Sequence, residues 1–229
     1  GASIIFRGKV SALGTPDRPI RFIGREINTS KAWGVIALQG QRTAGSHLKQ
    51  VHISGGSGDY IAAIPYTGML SVHNTSDIHL TDIVLGQNFV EDDTLHIVYV
   101  DNAVIRNLTV EAAFSDAVDI DASTVFFDGG NIVGSLNDGI DLMSSRAVIT
   151  GMTITRSGDK GVSVGERTDV LIHNTRLAGN VIGVESKDDS AAQIVHADLN
   201  QNQKNLNAYR KNWRYGNGGR IQVFLSKFS

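Results

Sequence analysis

The chain of 229 residues contains no cysteine, which excludes disulfide frameworks and thiolate metal sites and leaves the redox compartment open. Only three prolines accompany 25 glycines, a ratio that fits many tight turns between short strands. No apolar run reaches the roughly 20 residues that a membrane-spanning helix needs. The formal net charge of −2 argues against a nucleic acid or an anionic membrane as a partner held by bulk electrostatics.

A period of 22 residues organises the second half of the chain. The residue that follows each member of the repeating series is apolar. In the first units a second apolar residue comes two positions after it, the alternation typical of short half-buried strands. Self-similarity of this length, carried by short strands, is typical of a solenoid. The series is Ala117, Gly139, Gly161, Gly183 and Asn205. A second series with the same spacing, Phe126, Val148, Val170 and Ala192, predicts at least two strands in each coil.

Coils of this length predict a parallel β-helix. At about 3.3 Å per strand residue such a coil forms a wide, three-sided cross-section, and roughly nine or ten coils would stack about 4.8 Å apart. A leucine-rich repeat would need a Leu-rich consensus with helices, and a propeller would need blades of about 40 residues. Asparagines suit the corners, where they tolerate left-handed backbone and their amides can bond from coil to coil. The candidates are Asn74, Asn88, Asn102, Asn174, Asn180 and Asn202.

These coils resemble those of right-handed parallel β-helix proteins of the pectin-lyase-like superfamily, across nearly the whole chain. The opening segment GTPDRPIRFIG also resembles the entry coil of large bacterial surface β-helices. The resemblance implies an all-β fold, a right-handed, single-stranded parallel β-helix (a solenoid) with coils of roughly 22 residues. We expect one domain over residues 1–229. Such coils identify the fold well and the function poorly.

The two ends of the chain predict further neighbours. The last residues, RIQVFLSKFS, are typical of one more strand rather than of a cap, and the first residues already have a strand-like pattern. An uncapped solenoid would expose strand edges and a cross-section of its core. We therefore expect a processed or excised section of a longer chain, with end-on contact to further β-helix coils or to another chain.

A cluster of carboxylates is the first candidate for chemistry. Asp119 and Asp121 point outward from one strand, and the repeat places Asp141 over Asp119 and Asp138 over Asp116. Like charges one rung apart raise each other's pKa or recruit a cation. The cluster suits either acid–base catalysis of glycoside cleavage or a Ca²⁺ site formed by these five aspartates. Solvent-facing aspartates favoured in turns are the alternative.

Two histidines extend this cluster. The intervals between His73, His96, Asp119 and Asp141 are 23, 23 and 22 residues, which predicts a single outward column. A histidine over a carboxylate suits proton transfer, so His96 is a candidate catalytic residue. A purely structural histidine is the alternative.

Cations and aromatic side chains follow on the later coils. They are Lys160, Arg167, Lys187, Tyr209, Arg210 and Lys211, with Trp213 among them. Carboxylates beside cations and aromatic rings suit an anionic polysaccharide, whose acidic groups arginine grips and whose sugar rings stack on aromatic faces. An ordinary charged surface is the alternative.

Part of the acidic region resembles the motifs of polygalacturonase-type glycoside hydrolases. Asn137-Asp138-Gly139 resembles their Asn-x-Asp-Gly without the spacer, and Gly158-Asp159-Lys160 resembles Gly-Asp-Asp with lysine in place of the second acid. Val181-Ile182 stands where the family has a histidine. The resemblance implies candidate catalytic roles for Asp138 and Asp159.

These observations predict an extracellular or cell-surface β-helix that interacts with carbohydrate. As an enzyme it would be a hydrolase, lyase or epimerase of an acidic polysaccharide, with Ca²⁺ as the one cofactor that the sequence suggests. The catalytic residues would be Asp119, Asp138, Asp141, His96 and Asp159. The alternative is a non-catalytic structural or adhesive module of a large bacterial surface protein. Residues 57–67 are expected to form an irregular loop that leaves the body. If this loop walls Asp119 and Asp141 into a groove, the enzyme is favoured; if they lie on an open convex surface, the module is favoured.

Overall fold

The computed structural model describes residues 1–24 and 32–229, which are almost entirely strands and turns. The first strands are β1 (Ile4–Phe6), β2 (Ser11–Leu13), β3 (Ile20–Ile23), β4 (Ile36–Gln39), β5 (His47–Ser54), β6 (Asp59–Ile61), β7 (Ile64–Tyr66), β8 (Gly68–Leu85), β9 (Asp93–Glu111), β10 (Asp116–Asp121) and β11 (Thr124–Val133). They are followed by β12 (Ile140–Met143), β13 (Arg146–Thr155), β14 (Lys160–Gly165), β15 (Asp169–His173), β16 (Arg176–Ala178), β17 (Ile182–Lys187), β18 (Ala191–Val195), β19 (Asp198–Asn200), β20 (Lys204–Tyr209), β21 (Arg220–Phe224) and β22 (Lys227–Phe228). A short 3₁₀ helix spans Gln41–Thr43, and none of the described helical segments is long and apolar enough to cross a membrane.

Parallel pairing stacks the strands into three walls around one core. The first wall consists of β1, β4, the starts of β8 and β9, and then β10, β12, β14, β17 and β20. Six turns of 22 to 25 residues separate the first from the last of its aligned inward positions. These positions are Leu70, Leu95, Val118, Ile140, Val162, Val184 and Leu206. The two earlier coils are longer, since Ile4 pairs with Ile36 and Ile36 with Leu70. This architecture confirms the predicted parallel β-solenoid.

The interior is a single apolar column that runs the length of the stack. Alternation buries the inward side chains of each strand, as in β10, where Val118 and Ile120 have no exposed surface. The second wall contains the first halves of β11 and β13 followed by β15, β18 and β21, and the third wall contains their second halves followed by β16, β19 and β22. These walls contribute equivalent side chains, such as Phe127 on β11 and Ile154 on β13. Each coil therefore packs on its two neighbours, the mode of stabilisation that solenoids share.

Polar ladders hold two of the corners. Ser157 donates its backbone N–H to the Asn180 side chain, and Asn180 donates to Asn202 in the next coil, at 2.9 Å each. At another corner, Ser145 donates its backbone N–H to the hydroxyl of Thr168 at 3.1 Å. Asn74, Asn102 and Asn174 do adopt the left-handed conformation expected of them. Asn88, Asn180 and Asn202 serve instead through side-chain hydrogen bonds.

Three glycines of the 22-residue series, Gly139, Gly161 and Gly183, lie where successive coils approach closely at the start of the first wall. A Cβ on Gly161 would lie 2.7 Å from the carbonyl oxygen of Gly183 in the next coil. Since real side-chain atoms do not approach a carbonyl that closely, only glycine allows the coils to stack at this point.

The second predicted series is wrong beyond its first two members. Val148 pairs with Leu171, whereas Val170 pairs with the inward-facing Ala147. The coil gains one residue at a corner where Glu166 and Arg167 are both left-handed. Because strand side chains alternate with a period of two, one added residue moves Val170 from the outer surface to the core.

Residues 57–67 do not leave the body as an irregular loop, and that prediction is wrong. β6 and β7 form an antiparallel hairpin, in which Asp59 pairs with Tyr66. The hairpin packs its apolar side chains on the outer side of the first wall, where Tyr66 forms a small cluster with Val35 and Ala37. Burial of these side chains keeps the hairpin against the wall.

At the far end of the stack, β20, β21 and β22 each pair with strands of the preceding coil. Ile221 and Val223 pack on the core but stay partly exposed, and Phe224 and Leu225 are exposed. The end-on contact with further coils or another chain stays a prediction.

Candidate functional site

The outer surface of the first wall carries the titratable side chains. One row of aligned residues consists of Ser71, His96, Asp119, Asp141, Ser163, Glu185 and Asn207. Asp121 lies on β10 two residues after Asp119, in the neighbouring row. Asp93 and Asp116 are aligned in a third row at the start of the strands. The stacking of Asp141 over Asp119 follows the 22-residue repeat as predicted.

His96 is the best-positioned proton-transfer group on this surface. Its Nε2 lies 3.9 Å from Asp119 Oδ2 and 3.7 Å from Asp121 Oδ2. Its Nδ1 lies 2.9 Å from the hydroxyl of Thr67 and 3.1 Å from Nε2 of His73. With Nδ1 engaged on one side, Nε2 is directed at the two carboxylates, which defines the orientation of the ring.

His73 is not a member of the column that the spacing predicts. It pairs in register with Val98, and therefore lies in the row of Asp121, because the coil between Leu70 and Leu95 is longer than the repeat. It nevertheless contacts His96 from below and stacks on the ring of Tyr66, with ring centroids 5.0 Å apart. Burial, followed by the neighbouring His96, lowers the pKa of His73 to about 3. His73 is therefore a neutral support for His96.

Burial and mutual repulsion raise the pKa of three stacked carboxyl groups. Burial is the main cause for Asp119, followed by the carboxylates of Asp93 and Asp121, and it raises the pKa of Asp119 far above its usual range. Burial also raises the pKa of Asp116 to about 7 and that of Asp138 to about 6. The Asp119 side chain still keeps 23% of its surface exposed. A protonated carboxyl group that solvent reaches is thus present at neutral pH.

The two residues suggested by the hydrolase resemblance share a lysine. Lys160 Nζ lies 3.5 Å from Asp138 Oδ1 and bonds Asp159 on its other side. The backbone N–H of Lys160 also donates to Asp138, at 2.9 Å. Burial lowers the pKa of Lys160, but the hydrogen bond to Asp159 and the negative charges of both aspartates outweigh it. The pKa of Lys160 therefore lies above its ordinary value. Asp138 is nearly buried, so that Asp159 is the more accessible of the two.

The titration of this cluster has a consequence for stability. A carboxyl group whose pKa is higher in the folded chain than in the unfolded chain favours folding while it is protonated, and this contribution is lost as pH rises. We therefore expect the free energy of unfolding to fall between about pH 4 and pH 7, by roughly 2–4 kcal/mol for Asp116, since each pH unit of pKa difference corresponds to about 1.4 kcal/mol. Urea unfolding at several pH values measures this change. Asp116→Asn is expected to flatten the pH dependence and Asp169→Asn, at an exposed strand end, to leave it unchanged. Equal slopes in all three proteins would contradict the raised pKa of Asp116.

The predicted binding residues divide into two groups. Lys187 is buried, with Nζ donating to the hydroxyl of Ser163 at 2.8 Å, and it pairs in register with Tyr209, which is 40% exposed. Arg167, Arg210 and Lys211 are exposed near the following corner, where Lys211 donates its backbone N–H to Asp188 at 2.7 Å. The first group extends the surface of the first wall, and the second continues it as a cationic edge.

The structure adds to this surface three residues that are not among the candidates predicted from the sequence. Asp93 occupies the same slot as Asp116, and Glu185 the same slot as Asp141 two coils later, so the repeat itself was the signal. Glu185 is buried and accepts a hydrogen bond of 2.8 Å from Asn207. Tyr66 carried no signal, since it belongs to a hairpin outside the repeat.

Two groups of side chains have the spacing of metal ligands. One combines Asp93, His96 and Asp119, and the other Asp92, Asp93 and Asp116, with one potential ligand atom per residue, all within 4.8 Å of one another. Both groups therefore centre on Asp93 rather than on the five predicted calcium ligands. Asp116 and Asp119 are shared with that prediction, whereas in the described part of the chain Asp121, Asp138 and Asp141 belong to neither group.

Solved structures of carbohydrate-active proteins share this fold. The periplasmic alginate epimerase AlgG superimposes with a TM-score of 0.60 at 12% identity over 96% of this chain and 58% of its own. The catalytic domain of a GH87 α-1,3-glucanase in complex with nigerose superimposes with a TM-score of 0.51 at 8% identity, over 99% of this chain and 60% of its own. The chain thus spans about three fifths of the length of these structures. At such low identity the likeness concerns the fold alone.

Comparison with curated protein sequences finds no match. A family model described as a right handed beta helix region matches residues 67–219, which is more than half of the chain. The matched residues run from the start of the first regular coil to the corner before β21. The chain belongs to the right-handed β-helix family.

Proposed function

We propose that the outer surface of the first wall binds an acidic polysaccharide and catalyses proton transfer on it. Hydrolysis, elimination and epimerisation of a glycan share this step, in which a positioned acid and base donate and accept a proton at the sugar. Asp119 and His96 are the central pair, and Asp138, Asp141 and Asp159 complete the acid–base set.

One observation carries the proposal: a partly exposed carboxyl group with a raised pKa faces an oriented histidine. Catalytic sites commonly push the pKa values of neighbouring acids apart, so that a proton donor and an acceptor coexist at neutral pH. Asp119 has this environment, and Nε2 of His96 is 3.9 Å away. Support for a working site also comes from the hairpin, because Tyr66 stacks on His73, which in turn contacts His96.

The charge along the surface supports an acidic substrate. Protonated carboxyl groups at neutral pH do not repel a uronate, and can donate hydrogen bonds to it. Towards the later coils, Tyr209 offers an aromatic face, and Arg210 and Lys211 offer exposed cations. A glycan that runs parallel to the helix axis would therefore place its acidic groups on the cationic edge and one sugar over Asp119. Lys160 and Arg167 extend the same binding surface, and the buried Lys187 supports it from below through Ser163.

A location outside the cytoplasm accords with this substrate. The structurally similar epimerase AlgG is periplasmic, and polymeric acidic glycans are met at cell surfaces. A non-catalytic module would use the same fold, but the oriented His96 beside the Asp119 carboxyl group favours a catalytic surface.

An activity screen tests the proposal. The purified chain is incubated with pectic, alginate and glycosaminoglycan polymers, and product formation is followed by reducing-end release, by absorbance of unsaturated sugars and by NMR of ring protons. A glycan array measures binding in parallel. Turnover of at least one acidic polymer is expected. Binding without turnover would assign the chain to the adhesive module, and absence of both would overturn either carbohydrate function.

A further inference from the structure

We propose that Asp93, His96 and Asp119 form a binding site for a divalent transition-metal cation, with Zn²⁺ as the probe. The three side chains offer one nitrogen and two carboxylate oxygens on one surface, all within 4.8 Å of one another. The site lies between the second and third regular coils, where β9 and β10 are in register, so that His96 is directly paired with Asp119.

The distances require little movement. Zinc bonds nitrogen and oxygen at about 2.0–2.2 Å, so two ligands of one ion lie roughly 3–4 Å apart. His96 Nε2 is 3.9 Å from Asp119 Oδ2, which is already within this range. Side-chain shifts of less than about 1 Å would bring the three principal ligands around one ion.

Asp93 is the observation that distinguishes this cluster from ordinary surface acids. Its side chain is 2% exposed, and its Oδ1 has no hydrogen-bond partner. Native proteins rarely bury a carboxylate oxygen without a donor, because its lost hydration is not replaced. A cation bound between Asp93, His96 and Asp119 would replace it.

The surroundings of His96 also fit a metal ligand. Metal-binding histidines usually have their second ring nitrogen held by another protein group, which fixes the ring. Here Thr67 Oγ1 and His73 Nε2 lie 2.9 Å and 3.1 Å from Nδ1 of His96. When Nδ1–H donates to either of them, the lone pair of Nε2 faces Asp119 and Asp121.

The donor set selects the class of cation. Imidazole nitrogen suits Zn²⁺, Ni²⁺, Cu²⁺ and Fe²⁺, whereas Ca²⁺ takes six to eight oxygen ligands. A site with one imidazole and two carboxylates therefore differs in preference from the all-oxygen site that the five aspartates suggested in the sequence. A borderline transition metal is expected to bind here more tightly than Ca²⁺.

Binding of this cation would also regulate the surface, and this consequence rests on the proposed function. His96 and Asp119 are the central acid–base pair, and as metal ligands neither could exchange a proton with a glycan. Zn²⁺ is therefore expected to inhibit turnover reversibly, with activity restored by a chelator. The site itself stands independently of any activity, since its test uses no substrate.

The test is metal binding by the chain after treatment with chelator and dialysis. Titration calorimetry with ZnCl₂ is expected to show one dominant site. Zinc at about 100 times the dissociation constant is expected to raise Tm by roughly 5–10 °C. His96→Gln and Asp93→Asn are each expected to weaken zinc binding at least tenfold. His173→Gln is the matched control, because His173 lies against His196 elsewhere on the surface, with ring centroids 5.8 Å apart.

Each outcome decides between the alternatives. Unchanged Tm and no measurable zinc binding would overturn the site, as would full binding by both His96→Gln and Asp93→Asn. Stabilisation by CaCl₂ equal to that by ZnCl₂ would overturn the assignment to a transition metal. If His96→Gln does not fold, Asp93→Asn alone decides. Failure of the polysaccharide screen leaves these readouts untouched, so the two proposals fail separately.

Discussion

Asp119→Asn is expected to lower kcat on the glycan substrate by a factor of about 10² to 10⁴, the range that loss of a positioned proton donor or acceptor costs. Asparagine keeps the shape of the side chain but carries no transferable proton. Burial and the carboxylates of Asp93 and Asp121 raise the pKa of Asp119, so the wild-type carboxyl group stays protonated through neutral pH. Ionisation of Asp119 should therefore produce the alkaline limb of the pH profile, and the variant should lack that limb. Initial rates between pH 5 and pH 10 measure both effects.

Asp128→Asn is the matched control for this substitution. Asp128 lies on the second wall, is 53% exposed and pairs with Arg106 at 3.6 Å, away from the proposed surface. The same chemical change there should leave kcat and the pH profile unchanged. At neutral pH the Asp119 carboxyl group is protonated in the folded chain but ionised in the unfolded chain. Its replacement by asparagine should therefore stabilise the fold, and should do so most at alkaline pH, where the folded wild-type group ionises. An Asp119→Asn protein with wild-type kcat would contradict the catalytic role, and one with wild-type stability at alkaline pH would contradict the electrostatic argument.

The regular half of the fold could be predicted from sequence because the length of the repeat determines which residues of successive coils are paired. When successive coils have equal length, residues 22 apart must stack, as Val118, Ile140 and Val162 do. The alternation of apolar and polar residues then assigns inward and outward positions. No tertiary information is needed for this step.

The same reasoning fails wherever a coil changes length. His73 was misplaced because the coil from Leu70 to Leu95 contains additional residues, and Val170 because one residue is added at the corner of Glu166 and Arg167. Coils tolerate such insertions at their corners, where the backbone is left-handed and solvated. A sequence interval alone does not distinguish an added corner residue from a shift of register.

The properties of the candidate site depend on contacts that no repeat encodes. The hairpin of Tyr66 covers His73, which in turn supports His96. The low pKa of His73 and the raised pKa of Asp119 both follow first from burial. Sequence identified Asp119 and His96 as outward-facing, but their electrostatic environment is a product of the hairpin and of three coils together.

Phe127 is a fully buried side chain of the second wall, and its replacement tests the contribution of the core to stability. It pairs with Ile105 in the coil before and with Ile149 in the coil after. Replacement of a buried Phe by Ala removes its transfer free energy and leaves a cavity, at a cost of about 3–5 kcal/mol. We therefore expect Phe127→Ala to lower the free energy of unfolding by that amount, measured by urea titration with circular dichroism.

Phe126 provides the control, since it precedes Phe127 on the same strand and points to the opposite side, where it is only half-buried. Phe126→Ala makes the same chemical change without opening a cavity in the core, and is expected to cost less than half as much. Each coil contacts only its two neighbours, so the cavity cannot be closed by rearrangement of distant parts of the chain. The loss at Phe127 should therefore be close to the upper part of the range. Equal costs for the two substitutions would mean that strand alternation does not decide burial in this wall, and would contradict the register on which the candidate site depends.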